Sequence, residues 1–336
     1  MQRSKSTAAY IYLLITFFLW GSMYVAGKFA MQSLPTFTVC FFRFVVAFLT
    51  LTLLQKFQTA RRGGSDGAAG DGDPSDGHPS DRKLSDNNPS DGAKLTVIEK
   101  KDRPYIVLIG VLGYFMSAGS TCFGTRYAGA SLSSLMNAMN PVTISIFGAL
   151  ILKEKLSLRK CLGIALAIVG VYVILAKSEG GSLLGVLFNI LAVALWSLVS
   201  VMVRKVTQKY DPITVTRSGI GVGLVCYLVA AGVETAINGV PQFTLPVVLS
   251  LLYMGVFGTA AAHTLWNLSL QRLEASTCSA FYPLQPLVSA LLGMWLLHEE
   301  NGPRFWIGAV LIIAGILISL IHSDRQSVHP ITSKQE

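Results

Sequence analysis

Asn137 and Asn140 stand three residues apart, immediately before Pro141, in an otherwise apolar stretch. Residues at that spacing share a helix face, and the proline removes one backbone donor and frees a carbonyl a turn back. The result is a cluster of amide and carbonyl groups at one depth, suited to holding a small polar solute or to tying neighbouring helices together. A second such place is Tyr282 and Gln285 before Pro286, with Pro283 as an extra breaker. His263 shares a face with Trp266 and Asn267, at i+3 and i+4, and with Thr259 at i−4. An imidazole in that setting can carry a coupling proton, hydrogen-bond a substrate carboxylate, or satisfy a neighbouring helix. Two cations also lie inside apolar runs. Lys28 is placed to snorkel to an interface or to attract an anion. Arg43 is too deep for snorkelling, which leaves an anionic substrate group or helix carbonyls as its partners. Glu234 is the nearest acidic residue by depth. Trp20, Tyr24, Tyr114, Trp196, Trp266 and Tyr282 supply rings for an aromatic cavity, although such residues are also ordinary in membrane spans and interfacial belts.

Other chemistries lack their residues. The chain has no G-x-S-x-G, no H-E-x-x-H and no phosphate-binding Gly-Lys-Ser/Thr loop. Its five cysteines (Cys40, Cys122, Cys161, Cys226 and Cys278) form no CxxC, and all lie in apolar runs, as small core residues do. No enzymatic activity, no metal and no cofactor is expected.

These residues sit in elements set by composition. The chain has 336 residues, 52% hydrophobic and 13% charged, with a formal net charge of +9. A soluble protein carries about 25% charged residues, so this chain is too apolar for water. Its basic surplus forms no Lys/Arg stripe interleaved with aromatics, which argues against nucleic acid as a partner. A bilayer-spanning helix needs about 20 mostly apolar residues. Ten such stretches can be marked: 8–31, 35–54, 105–124, 131–152, 161–175, 183–203, 215–236, 246–268, 275–297 and 303–321. The fifth is short. Arg3 and Lys5 precede the first run as in a signal peptide. That run is too long for one, holds Trp20 and Lys28, and ends without an A-x-A site, so it is expected to stay as a span.

Basic residues mark the cytoplasmic side. With the N-terminus inside and the insertion set aside, the inner segments hold 12 Lys and Arg, Arg304 among them, and the outer loops hold Arg126, Lys177 and Arg272. Both termini are therefore expected in the cytoplasm of a multi-pass plasma (inner) membrane protein. Residues 55–103 are rich in Gly, Pro, Ser and Asp, with Ser-Asp recurring at 65, 75, 80, 85 and 90. They carry 9 basic and 9 acidic residues and read as a disordered cytoplasmic linker. Glu154 and the pair Glu299-Glu300 fall at span ends beside Arg159 and Arg304, where they suit interfacial salt bridges or gate contacts.

The chain also repeats. A shift of 145 residues lays Gly110, Val111 and Gly113 on Gly255, Val256 and Gly258, and Ala130, Ser131 and Pro141 on Ala275, Ser276 and Pro286. The same shift lays Glu154, Gly163 and Gly170 on Glu299, Gly308 and Gly315. A shift of 176 lays Trp20 and Lys28 on Trp196 and Arg204. Each copy holds five spans, an odd number, so the second enters the membrane from the opposite side. The expected fold class is therefore all-α integral membrane, with ten transmembrane helices as two inverted five-helix repeats. The first repeat covers 8–175, interrupted by 55–103, and the second covers 183–321. Inverted repeats of this kind mark secondary transporters, whose substrate site lies near the midplane. The glycines Gly163, Gly170, Gly308 and Gly315 lie seven apart within each span and mark close helix packing.

Over nearly its full length outside 55–103, the chain resembles the EamA-type branch of the drug/metabolite transporter superfamily. The residues carrying the resemblance are Leu19-Trp20-Gly21-Ser22, Phe42-Arg43-Phe44, and the two blocks from Ala130-Ser131 to Glu154 and from Ala275-Ser276 to Glu299. The resemblance implies ten helices, cytoplasmic termini and transport of small metabolites, often export of amino acids or drugs. Three readings stand at this stage. One is a permease working by alternating access, with Trp20, Tyr24, Lys28, Arg43, Asn137, Asn140, His263, Trp266, Asn267, Tyr282 and Gln285 as substrate-binding candidates. Another is a nucleotide-sugar or phosphate-ester exchanger of the same superfamily. The third is a non-transporting scaffold or receptor acting through the 55–103 segment. The expected partners are a small-molecule substrate and the lipid bilayer, with a homodimer left open.

Overall fold

The computed structural model describes residues 2–66, 97–154, 157–175, 182–297 and 303–320. Apolar runs become helices wherever the sequence is free of proline, and proline places the joints. The helices are α1 (Gln2–Ser33), α2 (Thr36–Asp66), α3 (Arg103–Leu108), α4 (Ala118–Asn137), α5 (Asn140–Leu152), α6 (Leu158–Leu175), α7 (Leu183–Val206) and α8 (Pro212–Asn238), followed by α9 (Leu245–Tyr253), α10 (Ala262–Arg272), α11 (Ala275–Ser279), α12 (Leu284–Leu297) and α13 (Pro303–Leu320). Strands are absent among the described residues. Side chains close several ends. Asp211 accepts from the Thr214 amide at the start of α8, and Ser182 accepts from the Gly185 amide at the start of α7. Gly239 ends α8 with φ 85°, a backbone that glycine adopts without strain.

Five helical stretches are long and apolar enough to cross a bilayer: Thr36–Phe57, Lys100–Ala128, Leu183–Val206, Pro212–Asn238 and Leu245–Arg272. Thr7–Met23, Asn140–Leu152 and Trp306–Ser319 are shorter apolar helices. Leu150, Leu162, Tyr172, Val229, Trp295 and Trp306 are exposed on the outside of the bundle, whereas Thr16, Ser117, Asn140, Asn189 and Asn267 are buried. Apolar outside and polar within is the arrangement of a protein dissolved in lipid.

Several boundaries differ from expectation. Helix α2 runs on to Asp66, past the expected end at 54, and Gln55 is held by a hydrogen bond from its amide to Thr214 Oγ1 at 2.9 Å. At the other edge of the insertion, a short turn at Lys100–Asp102 docks on Lys209 and Tyr210. The rest of the insertion, 67–96, and the pair Glu299-Glu300 lie outside the described residues. The expected loop between the third and fourth spans is wound as helix throughout, within α4. Yet the chain doubles back there. Asn189 reaches both Gly124, where an added Cβ would lie 2.5 Å from its Oδ1, and the Ser133 hydroxyl, at 3.0 Å. A straight helix would hold those two residues about 13 Å apart.

Two segments are wound wider than an α-helix: Ile109–Ser117, between α3 and α4, and Met254–Ala261, between α9 and α10. In them the amide of residue i donates to carbonyl i−5, as from Ala118 to Gly113 and from Ala262 to Phe257.

Helix pairs are held by glycine. At Gly163 an added Cβ would sit 2.5 Å from the Gly315 carbonyl oxygen, and at Gly315 it would sit 2.5 Å from the Gly163 carbonyl oxygen. Gly170 meets the Gly308 carbonyl in the same way, at 2.7 Å. Helices α6 and α13 therefore run antiparallel in backbone contact, as the glycine spacing led one to expect. That geometry corrects two assignments. Arg304, at the start of α13, stands at the Leu175 end of α6, opposite Lys160. Arg272 stands with Arg204 and Lys160, because Arg204 bonds the Leu270 carbonyl two residues before it. The two arginines exchange sides, which leaves the 12-to-3 division unchanged.

Candidate functional site

A cavity of about 500 Å³ opens among α1, α2, α4, α5, α7, α10 and α12, within the size range of small-molecule sites. Its wall is aromatic. Trp20 lies 6.0 Å from Trp196, 5.2 Å from His263 and 6.0 Å from Tyr282, ring centre to ring centre. The Trp196 indole N–H donates to the Tyr282 hydroxyl. His263 stands perpendicular to Trp196 at 5.4 Å and close to Tyr114 at 5.3 Å. Its Nδ1 is 2.9 Å from the Thr259 carbonyl, which can only accept, so Nδ1 carries the proton and neutral His263 keeps Nε2 as an acceptor. The imidazole is thus fixed by its own helix and not by a neighbouring one.

The proline-broken helices meet at the same depth. Asn140 closes the joint before α5: its Nδ2 donates to the Asn137 carbonyl at 2.8 Å, and its Oδ1 accepts from Ser197 at 3.2 Å. Thr143, one turn on, shares a 2.5 Å hydrogen bond with the same Ser197 hydroxyl. Asn137, Asn140, Tyr282 and Gln285 all line the cavity.

Arg43 lines it too and is buried, 7% exposed. Its guanidinium lies over the Phe44 ring at 5.0 Å, and its Nε has no hydrogen-bond partner. The expected carbonyl ties are not formed, and Glu234 is engaged elsewhere. Glu234 accepts from the amides of Phe37 and Thr38 at 3.1 and 2.7 Å and from the Thr38 hydroxyl at 3.0 Å. It therefore caps the start of α2, where a carboxylate satisfies unpaired amides.

Of the expected site residues, Trp20, Arg43, Asn137, Asn140, His263, Tyr282 and Gln285 come together around this space. Trp266 and Asn267 do not reach it. Trp266 packs behind Trp20 at 5.7 Å, and Asn267 donates to Thr216 Oγ1 at 2.8 Å, joining α10 to α8. They lie on the right face of α10 but one turn too deep. The side chains of Tyr24 and Lys28 lie outside the described set. The cavity adds Met23, Met254, Ser117 and Thr36, and also Arg126, which the sequence places in an outer loop. Arg126 Nη1 donates to Thr36 Oγ1 at 3.2 Å.

The opposite end of the bundle is closed by charge. Glu154 accepts from the amides of Ala275 and Ser276 at 2.9 and 3.2 Å and from the Ser276 hydroxyl at 2.9 Å, and it pairs with Arg204 Nε at 2.9 Å. Arg204 also donates to the Leu270 carbonyl at 2.9 Å. Lys160 reaches Glu274 at 2.6 Å and Ser276 Oγ at 2.8 Å. Four separate segments of chain are tied at one point.

A helical bundle that is apolar outside, with a part-polar cavity among its helices, is an integral membrane protein. The profile of the EamA-like transporter family matches residues 7–69, 88–176 and 183–321, and the chain belongs to that family. The uncharacterized transporter YcxC of Bacillus subtilis (strain 168) is 25% identical over 98% of this chain and 98% of its own length. An uncharacterized transporter of Clostridium kluyveri is 28% identical over 65% of this chain and 72% of its own. One crystal structure superposes with a TM-score of 0.70 over 95% of this chain and 98% of its own, at 17% identity, which is likeness of fold.

Proposed function

We propose that the protein is a secondary transporter that moves a small organic metabolite, outward, by alternating access between two inverted five-helix halves. The observation that carries this reading is a solute-sized cavity whose lining reaches the exposed Arg126, while the Glu154–Arg204–Ser276 cluster ties the opposite end of the bundle. A channel needs a path through; a transporter needs one open end and one closed.

Recurring contacts support the two-half organisation. Gly110 abuts Val222 and the Gly219 carbonyl, and Gly255 abuts Val46 and the Arg43 carbonyl, the counterparts under the shifts of 145 and 176. Gly113 meets Val199, and Gly258 meets Met23, again counterparts. Gly21 lies against Gln285 and Val288, while its counterpart Ser197 bonds Asn140 and Thr143. Both wide-wound segments also fall at equivalent places, and the joints at Pro141 and Pro286 make paired broken helices at one depth. The ten spans of this reading are the five long stretches, the three shorter apolar helices, and α6 and α12. The excess of basic residues assigns the Glu154 end to the cytoplasm of the plasma membrane, with both termini there. The cavity then faces out.

Purified full-length protein in liposomes tests the function. Uptake of at least one member of a panel of organic acids, amino acids and amphipathic drugs above empty vesicles is expected, and a flat panel overturns it. Removing 67–96 should leave that flux intact; loss of flux would favour the signalling reading of the insertion.

A further inference from the structure

The cavity carries positive charge that no described carboxylate neutralises. Arg43 is more than nine-tenths buried at its wall, and no hydrogen bond or ion pair to its guanidinium is made among the described residues. Arg126 adds a second cation to the lining, bound among the described residues to a neutral hydroxyl. Asp and Glu are absent from the described lining. Glu234 is committed to the start of α2 and Glu154 to its lock with Arg204 and Ser276. A buried cation in a membrane span is retained where it has a partner to meet. Here that partner must arrive with the solute. The remaining wall joins the neutral polar side chains of Asn137, Asn140, Gln285 and His263 to Trp20, Trp196, Tyr282 and three methionines, surfaces that favour aromatic and branched apolar groups. An ammonium group would find Arg43 repelling it and no carboxylate to receive it.

We propose that this site takes an organic monoanion, a carboxylate or sulfonate on an aromatic or branched apolar body, and rejects molecules that carry an ammonium group. The anion lies against Arg43 and the ring lies among Trp20, Trp196 and Tyr282. Amino acids and cationic drugs are thereby disfavoured. The inference rests on the transporter reading only in calling the solute a substrate; binding specificity stands by itself.

Three probes share one body: 3-phenylpropanoate, phenylalanine and phenethylamine carry the carboxylate alone, both groups, and the ammonium alone. Binding to full-length protein in nanodiscs is read by tryptophan fluorescence, since Trp20 and Trp196 line the site. The carboxylate alone should bind at least about tenfold tighter than phenylalanine, as expected for one unmet buried charge, with phenethylamine weakest. In Arg43→Gln that preference should vanish, and in Arg43→Lys it should shrink but keep its sign. Gel filtration checks that each variant is folded. If Arg43→Gln is not, the wild-type ranking and Arg43→Lys decide the matter. Equal binding of the three, tighter binding of either amine, no binding of any, or an unchanged preference in Arg43→Gln overturns the proposal. Flux of the permanently charged 3-phenylpropanesulfonate, which does not leak as a neutral acid, is measured separately. Binding of the anions without flux sinks the transporter reading and leaves the specificity. Flux of amines in place of anions sinks the specificity and leaves transport.

Discussion

The two corners of the chain at 126–133 and 271–278 are the same distance into their respective halves, 145 residues apart, yet they are built differently. The first is wound, helical from Ala118 to Asn137, and its Tyr127 carbonyl accepts from the Ser182 amide at 3.3 Å. In the second the chain is extended at Leu273 (φ −120°, ψ 161°) and Glu274 (φ −62°, ψ 146°), and helix α11 begins afresh at Ala275. Its first amides have no partner in their own helix. Glu154 supplies one, and in doing so ties the corner to Arg204 and, through Ser276, to Lys160. The unwound corner is therefore docked through a buried carboxylate, whereas the wound corner is docked through neutral groups, the Tyr127 carbonyl and the Ser133 hydroxyl.

Breaking the docked corner should have the largest effect. Glu154→Ala removes an ion pair with a carboxylate only 5% exposed and strands three donors. Losing one partner of a buried pair costs about 3–5 kcal/mol, so thermal unfolding in detergent should fall sharply, and Cys278, now buried behind the lock, should become reactive to maleimide. An unchanged melting profile with Cys278 still protected would mean that the end is closed by something else.

Next in size is Gly163→Ala. Its new methyl would fall within 2.5 Å of the Gly315 carbonyl, and overpacking of this kind costs about 1–3 kcal/mol. The melting temperature should drop, with the lock and the cavity left as they are. Equal stability would show that α6 and α13 separate freely.

Removing a charge from the open end sharpens the contrast. Arg126→Gln takes away an exposed cation bound to one hydroxyl, worth about 0–1 kcal/mol. Stability should hardly move, while the same chemical change at Arg204 should cost several times more. If the two variants melt alike, the ends do not differ in kind.

The smallest effect lies at the edge of the insertion, where Lys209 bonds Asp102 and Glu99 at 2.7 and 2.9 Å. Hydrogen bonds from Lys209 and then Lys101 hold the Glu99 carboxyl below its ordinary range, and the carboxylates hold Lys209 above its own. A depressed carboxylate contributes above its unfolded value and loses that contribution as pH falls through its folded one. The protection factor of the Glu99 amide, whose N–H meets Tyr210 at 3.3 Å, should therefore fall on acidification below the carboxylate range and stay constant near neutrality. The cluster is only partly buried and lies at the bundle's edge, so the global melting temperature should hardly register it.

Much of the site could be read from spacing. Pro141, Pro283 and Pro286 break helices wherever they fall, so Asn137, Asn140, Tyr282 and Gln285 were bound to lie at joints, and joints inside a bundle leave polar groups free for a cavity. Trp20, Arg43 and His263 stood out as unusual residue types in apolar runs. Trp266 and Asn267 failed because helical spacing gives a face and not a depth. They share the face of His263, but the space ends above them. Arg126 was missed for the opposite reason: a cation between two apolar runs is counted with the loops, and nothing local says that the loop is wound against α2. Glu234 was matched to Arg43 by depth alone, whereas its partners are the two amides at the start of α2, a need that exists only once the helix has formed. Arg272 and Arg304 exchanged sides because their spans were counted from the wrong end.

The paired glycines of α6 and α13 carry one more consequence, for inheritance. Each of Gly163 and Gly315 has the space of its missing side chain occupied by the other's carbonyl oxygen. A mutation at either codon therefore meets the same obstacle at the same contact, although the codons lie 152 positions apart. However far the two halves of such a chain drift in sequence, these two glycines are a single site to selection and can only be kept, or lost, as one.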